Sequence, residues 1–169
     1  MRVIGIDPGS GTTGYGVVER VNNRCRALAW GTVETAGAAT YPAALRMIHD
    51  GLQTIIQTHQ PAFAAVEDIF YAVNPRTSFK LAQSRGAILL SLELAGVPAF
   101  AYTPLSIKKS LVGYGRASKE QVREMVRLLL GLRGQEIPID ASDALAAALC
   151  HIQSYSARLR IERPGPSQA

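Results

Sequence analysis

Residues 3–18, VIGIDPGSGTTGYGVV, constrain the fold of this chain more tightly than any other stretch. An apolar run ends on Asp7, a glycine-rich turn follows, and a second apolar run begins at Gly14. Short apolar runs joined by PGSGTT read as paired strands over residues 2–7 and 14–21. An ionised aspartate at the edge of a core is costly unless something compensates it. Three compensations stand open here: a helix cap, a turn in which the carboxylate accepts from the Gly9 and Ser10 amides, or a metal ion.

Residues 25–35, CRALAWGTVET, read as a third strand, and the short connections favour an antiparallel meander. Leu45, Ile48, Leu52, Ile55 and Ile56 recur at helical spacing, which predicts a helix over 43–57 with Pro42 near its start. After a turn at Pro61, AFAAVE (62–67) reads as a buried strand. A second long helix is predicted over 76–95, closed by Gly96, and VPAFAY (97–102) reads as a fifth strand. Pro104 opens a helix over 105–111. Ser118 is placed to cap a helix to Leu130, with Gln121 three positions on completing a capping box. Pro138 precedes a last helix over 140–154. This order predicts an α/β fold, a mixed five-stranded sheet with helices on both faces. Sites in such sheets gather at the carboxyl ends of strands. Asp7 ends the first strand and Glu67 the fourth.

Length and composition bound the rest. A chain of 169 residues fits one domain with a sizeable core, here taken as 1–157, with RLRIERPGPSQA as a flexible, polar tail over 158–169. With 47% hydrophobic and 18% charged residues, it is not a disordered chain. No window carries a transmembrane-length apolar run, and MRVIGID reads as a strand rather than a signal peptide. Cys25 and Cys150 lie far apart with no CxxC pattern, so they read as buried free thiols in a reducing cytoplasm, not as metal ligands. The net charge of +5 is unevenly spread. Between Arg76 and Arg133 lie ten cationic residues (76, 80, 85, 108, 109, 116, 119, 123, 127, 133) against Glu93, Glu120 and Glu124. A basic surface beside a separate acidic cluster suits an enzyme that cuts nucleic acid, where cations hold phosphates and carboxylates hold a metal; on charge alone, a solvated basic face with no ligand is the open alternative.

The candidate cluster has four members. If the strands ending at Asp7 and Glu67 are parallel neighbours, the two carboxylates sit side by side and need a cation between them. Asp140 and Asp143 are spaced i, i+3 and share a helix face. The alanine-rich ALAAALCHI that follows is suited to lying close against a sheet, which would bring both aspartates to the strand ends. Three of the acids have a plainer reading when taken alone: Asp140 as an N-cap, Asp143 as a first-turn acid, Asp7 as a turn residue; Glu67, at the end of an apolar strand, is harder to dismiss. Asp68 reads as structural and facing away. Oxygen-only ligands suit Mg²⁺ or Mn²⁺ rather than zinc. His49, His59 and His151 have no metal-ligand spacing with one another; His151, two turns beyond Asp143, is read as a surface residue.

With those residues in view, GIDPGSGTTGYGVV, AAVEDIFYAVNPRTSFKLAQSRGA, IKKSLVGYGRASKEQV and DASDALAAAL resemble the RuvC-type Holliday-junction resolvases of the ribonuclease-H-like superfamily. The likeness runs from the first residues to about residue 152. It implies a homodimer that binds a four-way DNA junction in recombination and repair, each subunit nicking one of two strands of like polarity. It implies Asp7, Glu67, Asp140 and Asp143 as ligands of two Mg²⁺ or Mn²⁺ ions per subunit, about 4 Å apart, with Asp7 bridging both. The products it implies are a 5′-phosphate and a 3′-hydroxyl. Phe70 matches an aromatic that stacks on a base near the junction centre. Lys108 and Lys119 match phosphate-contacting lysines near the cut, Lys119 within the catalytic set. Lys109 stands beside the first of these, so the assignment between those neighbours is open. Arg76 and Lys80 are placed along the same DNA groove. A branch-migration helicase motor complex of the RuvA and RuvB type is the implied protein partner.

The helix over 76–95 carries Phe79, Leu81, Leu89, Leu90, Leu92 and Leu94 nearly all round, which predicts burial in a core or in a dimer interface. Three rival readings have their own discriminants. Actin-like ATP-handling proteins share the strand–Asp–Gly-turn–strand pattern but need two related domains, and no second phosphate loop is present. A related nuclease that trims RNA would sit uneasily with DASDALA and the basic middle. A junction-binding module without chemistry would not need four acids.

Overall fold

A computed structural model of the chain describes residues 1–68 and 75–162, with side chains as far as residue 156. The first strand, β1 (Arg2–Asp7), is apolar on both faces, and this decides the layering. Side chains alternate along a strand, so Ile4 and Ile6 point one way while Val3, Gly5 and Asp7 point the other. A strand buried on both faces needs cover on both.

That cover is built from the chain in order. The strands β2 (Thr12–Val21), β3 (Arg24–Glu34), β4 (Phe63–Glu67) and β5 (Ala99–Tyr102) join β1 in one sheet of order β3-β2-β1-β4-β5. The first three strands pair antiparallel, as the short turns require, while β4 runs parallel to β1 and β5 parallel to β4. The helices α1 (Tyr41–His59) and α2 (Pro75–Leu94) pack on Ile4, Ile6, Val17, Ala64 and Val66. The helices α3 (Pro104–Val112), α4 (Lys119–Leu130) and α5 (Ile139–Glu162) pack on Val3, Val18 and Ala65. The mixed five-stranded α/β sheet with helices on both faces is the expected architecture.

Local chemistry sets the helix starts. The Thr40 hydroxyl accepts from the Ala43 amide at the start of α1, and Ser118 with Gln121 forms the expected capping box on α4. Ile48, Leu52 and Ile56 are the buried rungs of α1.

Close approach of α5 to the sheet depends on glycine. A Cβ at Gly5 would meet the Ala144 carbonyl oxygen at 1.8 Å, and one at Gly14 would meet the Asp140 carbonyl oxygen at 2.1 Å. The helix meets this face with Ala141, Ala144 and Ala148, all fully buried. Small residues on both sides let the α5 backbone lie directly on β1 and β2.

Three expectations need correction. The last helix does not end at 154; it continues through Glu162, a stretch in which Ala157, Arg158, Leu159, Arg160 and Glu162 all favour helix. His151 is 2% exposed rather than at the surface. Its face of α5 turns onto β4 and β5, where the ring packs among Phe63, Phe100 and Tyr155 and Nδ1 bonds the Tyr102 hydroxyl at 2.9 Å. Cys150 is buried as expected, but Cys25 is only half-buried, since β3 is an edge strand; both thiols are free. Among the described residues no helix is long and apolar enough to cross a membrane.

Candidate active site

Four carboxylates meet at one end of the sheet. β1 and β4 are paired in parallel up to Ile6 opposite Val66. One residue further, Asp7 and Glu67 leave the core side by side, on the face that α5 covers. Asp7 is also the register partner of Gly14, whose missing side chain makes room for the first turn of α5. Asp140 and Asp143 lie in that turn and the next. Asp140 is the second helical residue, so it is not an N-cap.

No hydrogen bond among the described residues compensates Asp7 or Glu67. The carboxyl of Asp7 is pushed up to about 8, first by burial and then by the charges of Glu67, Asp143 and Asp140. Glu67 is raised to about 7 by burial and by Asp143. Asp140 is raised as well, by burial and then Asp143. The hydrogen-bonded-turn reading of Asp7 therefore fails. What remains is a cluster of oxygen donors with more negative charge than its surroundings neutralise, and that donor set fits a hard divalent cation. Glu67 and Asp143 line a cavity; among the described residues no three acidic, histidine or cysteine side chains close a cage around a single point.

The lysines sort themselves by geometry. Lys119 Nζ lies 3.1 Å from Asp143 Oδ2, and Asp143 holds the ammonium pKa above its usual value. Lys108 and Lys119 line a cavity of about 200 Å³ with Glu67 and Asp143, floored by Ile107, Val122 and Ala146. Lys109 is exposed and does not line it, which separates the two neighbouring lysines. Lys80 does not reach the carboxylates: it lies over the Tyr41 ring, 5.9 Å from its centroid, beside Ser10 and Gly11 of the first turn. Arg76 is exposed on the first turn of α2. Asp68 turns away, as expected, and pairs with Arg85 at 3.2 Å. Phe70 lies outside the described residues.

Two features went unread in the sequence. Gly5, Gly14 and Gly16 all fall beneath α5. Their signal was visible as glycines at a spacing of two, 14 and 16, in a strand that is otherwise apolar. Glu34, at the end of β3, raises Asp140 as a fifth nearby acid and accepts a hydrogen bond from the Thr12 hydroxyl at 2.9 Å. A single glutamate at a strand end carries no local signal.

Comparison with known proteins agrees with this arrangement. A family model described as crossover junction endodeoxyribonuclease RuvC matches residues 3–151. The crossover junction endodeoxyribonuclease RuvC of Syntrophomonas wolfei subsp. wolfei is 46% identical over 155 residues, covering 92% of this chain and 90% of that protein. The solved RuvC structure of Thermus thermophilus superposes with a TM-score of 0.85 at 34% identity, covering 94% of this chain and 97% of the other. The structure of T. thermophilus RuvC in complex with Holliday junction substrate superposes with a TM-score of 0.84 at 32% identity, covering 93% and 96%. A match along nearly the whole chain, with four acids gathered where the strands end, places this chain in the RuvC family of crossover junction endodeoxyribonucleases.

Proposed function

We propose that this protein resolves four-way DNA junctions by paired symmetric nicks, acting as a homodimer in recombination and repair. Membership of the family implies a divalent metal as cofactor. The observation that carries the reading is the convergence of Asp7, Glu67, Asp140 and Asp143 beside Lys108 and Lys119 at one end of the sheet. The four carboxylates Asp7, Glu67, Asp140 and Asp143 would hold two Mg²⁺ or Mn²⁺ ions. When bound, such ions activate water and stabilise a departing oxygen in phosphodiester hydrolysis. The residues themselves supply the shape of the site. Asp7 and Glu67 anchor it on strands that cannot shift without disturbing the core, and α5 carries the other two acids. Lys108, on α3, lines the same cavity and is positioned to hold the scissile phosphate; attack of water on phosphorus with breakage of the P–O3′ bond would leave a 5′-phosphate and a 3′-hydroxyl. Phe70, Arg76 and Lys80 extend the DNA contact, Phe70 by stacking on a base, worth about 1–3 kcal/mol.

The dimer reading is supported by α2. Ile88 and Leu92 face the core, while Phe79, Leu90 and Leu94 are 72%, 59% and 68% exposed along the other side. A two-fold axis through that stripe would bury it and hold two active sites at a fixed separation. A branch-migration helicase motor of the RuvA and RuvB type is the protein partner, and the chromosomal DNA substrate puts the work in the cytoplasm.

The test is cleavage of an end-labelled synthetic four-way junction against matched linear duplex, with Mg²⁺, Mn²⁺ or EDTA. Paired symmetric nicks that require both junction and metal are expected. Equal cutting of linear duplex, or cutting in EDTA, would overturn the reading.

A further inference from the structure

Lys119 stands closer to the carboxylates than contact with a phosphate alone requires. Its ammonium lies within the carboxylate cluster, 3.1 Å from Asp143 Oδ2. Its charge also acts on Asp7, Glu67 and Asp140. The position is not chosen for helix stability. Lys119 is the first residue of α4, where the positive end of the macrodipole disfavours a cation.

The two ends of this side chain are held differently. Its root is pinned: Ser118 and Gln121 form the capping box, and the Tyr114 hydroxyl donates to Gln121 Oε1 at 2.9 Å. Its stem is exposed, with the side chain 65% exposed against 16% for Asp143. A fixed root and an exposed stem leave room for the ammonium to exchange between two nearby positions. The carboxylate cluster has no other ion pair among the described residues, and Lys108, the other lysine lining the cavity, makes no ion pair with it.

We propose that Lys119 is a tethered counter-ion, occupying the carboxylates of the metal-free protein in place of a divalent ion and displaced toward the scissile phosphate when metal binds. The proposal rests on the metal-site reading above. In the metal-free protein the ammonium offsets repulsion among four acids that would otherwise loosen the start of α5. In the loaded protein the same ammonium is repelled by the incoming cation and released to the substrate. Coupling of this kind is reciprocal. If metal expels Lys119, removal of Lys119 must strengthen metal binding, and metal must strengthen the grip of Lys119 on DNA.

The experiment is calorimetric titration of Mn²⁺ into the full chain without DNA, at fixed ionic strength, for wild type, Lys119→Met, Lys119→Arg and Lys108→Met. Lys119→Met is expected to bind the first Mn²⁺ about three- to fivefold more tightly than wild type, the scale of a partly exposed ion pair. Lys119→Arg keeps the pair and should match wild type. Lys108→Met removes a charge near Glu67 but no ion pair, and should stay within about twofold of wild type, as a screened charge would. Mn²⁺ binding by Lys119→Met no tighter than wild type would overturn the exchange. An equal gain in Lys108→Met would also overturn it, since a general field effect would then suffice. Absence of Mn²⁺ binding in wild type and all variants would overturn the metal-site reading itself, and the exchange with it.

Discussion

Asp7 leaves the core at the end of β1 with three other acids around it and no hydrogen-bond donor among the described residues. Its carboxyl pKa of about 8 lies above the ordinary 3.8, so the folded metal-free protein binds that proton more tightly than the unfolded chain. The stability so gained is complete below about pH 4 and is lost as the pH rises through about 8. Glu67, at about 7, adds a loss of the same sign slightly earlier. Calorimetry in EDTA should therefore show a lower Tm at pH 9 than at pH 6, and saturating Mn²⁺ should narrow the difference. Asp7→Asn should raise the metal-free Tm at pH 9; about 1 kcal/mol corresponds to roughly 2–4 °C in a domain of this size. The same variant should cut junctions at least about 100-fold more slowly, as loss of a proposed metal ligand would, while still binding them in a gel-shift assay. A Tm that rises with pH would reject the raised carboxylates. Lys108 and Lys109 give a paired comparison. Lys108 lines the cavity beside Glu67 and Lys109 does not. Lys108→Ala should lower the salt slope of junction binding by about 1 and slow cleavage, with Lys109→Ala close to wild type. Equal effects would remove the distinction.

The element that most controls the site is α5. It crosses β1, β2 and β4, and two carboxylates of the cluster ride on its first turns. Its height above the sheet is set by contacts such as Gly14 against the Asp140 carbonyl oxygen. Gly14→Ala should push the start of α5 outward, because the new methyl meets backbone rather than a side-chain end. Overpacking of this kind costs about 1–3 kcal/mol. Single-turnover cleavage should fall by more than the loss of Tm explains, since a displacement of about 1 Å is enough to cost 100-fold in rate. Normal cleavage by a destabilised Gly14→Ala protein would show that the height of α5 is not critical. The strand ends, by contrast, resist displacement: Ile4, Ile6, Val3 and Val66 are fully buried on the two strands that present Asp7 and Glu67.

For the whole molecule, the decisive question is how two cuts are paired. A monomer with one carboxylate cluster makes one nick. In the proposed dimer the exposed Phe79, Leu90 and Leu94 stripe on α2 would be the shared surface, and it would leave the carboxylates uncovered, because α2 packs on the opposite face of the sheet from α5. Leu90→Glu should weaken dimerisation by about 2 kcal/mol or more, roughly 30-fold, as truncation or charging of a central apolar contact does. Light scattering across a concentration series checks this, and junction cleavage should shift from paired to unpaired nicks. An unchanged dimer mass would move the interface elsewhere.

The sequence by itself determined the elements and their type. Apolar periodicity is a local property, so strands ending at Asp7 and Glu67, helices at 43–57 and 76–95, and the Ser118 cap could be read directly. It also marked Asp7, Glu67, Asp140 and Asp143 as candidates through their conjunction, since Asp7, Asp140 and Asp143 each had a plainer local use when taken alone. Tertiary structure alone decided the rest. Only packing separates Lys108 from Lys109, whose local environments in sequence are nearly identical. Only the fold puts Lys119 on Asp143, across 24 residues, and turns His151 inward onto Tyr102. The continuation of α5 to Glu162 followed the helix propensity of the segment rather than its polarity. Sequence records which side chains want burial or charge; which of them meet is settled by the sheet, through the glycines that let α5 approach it.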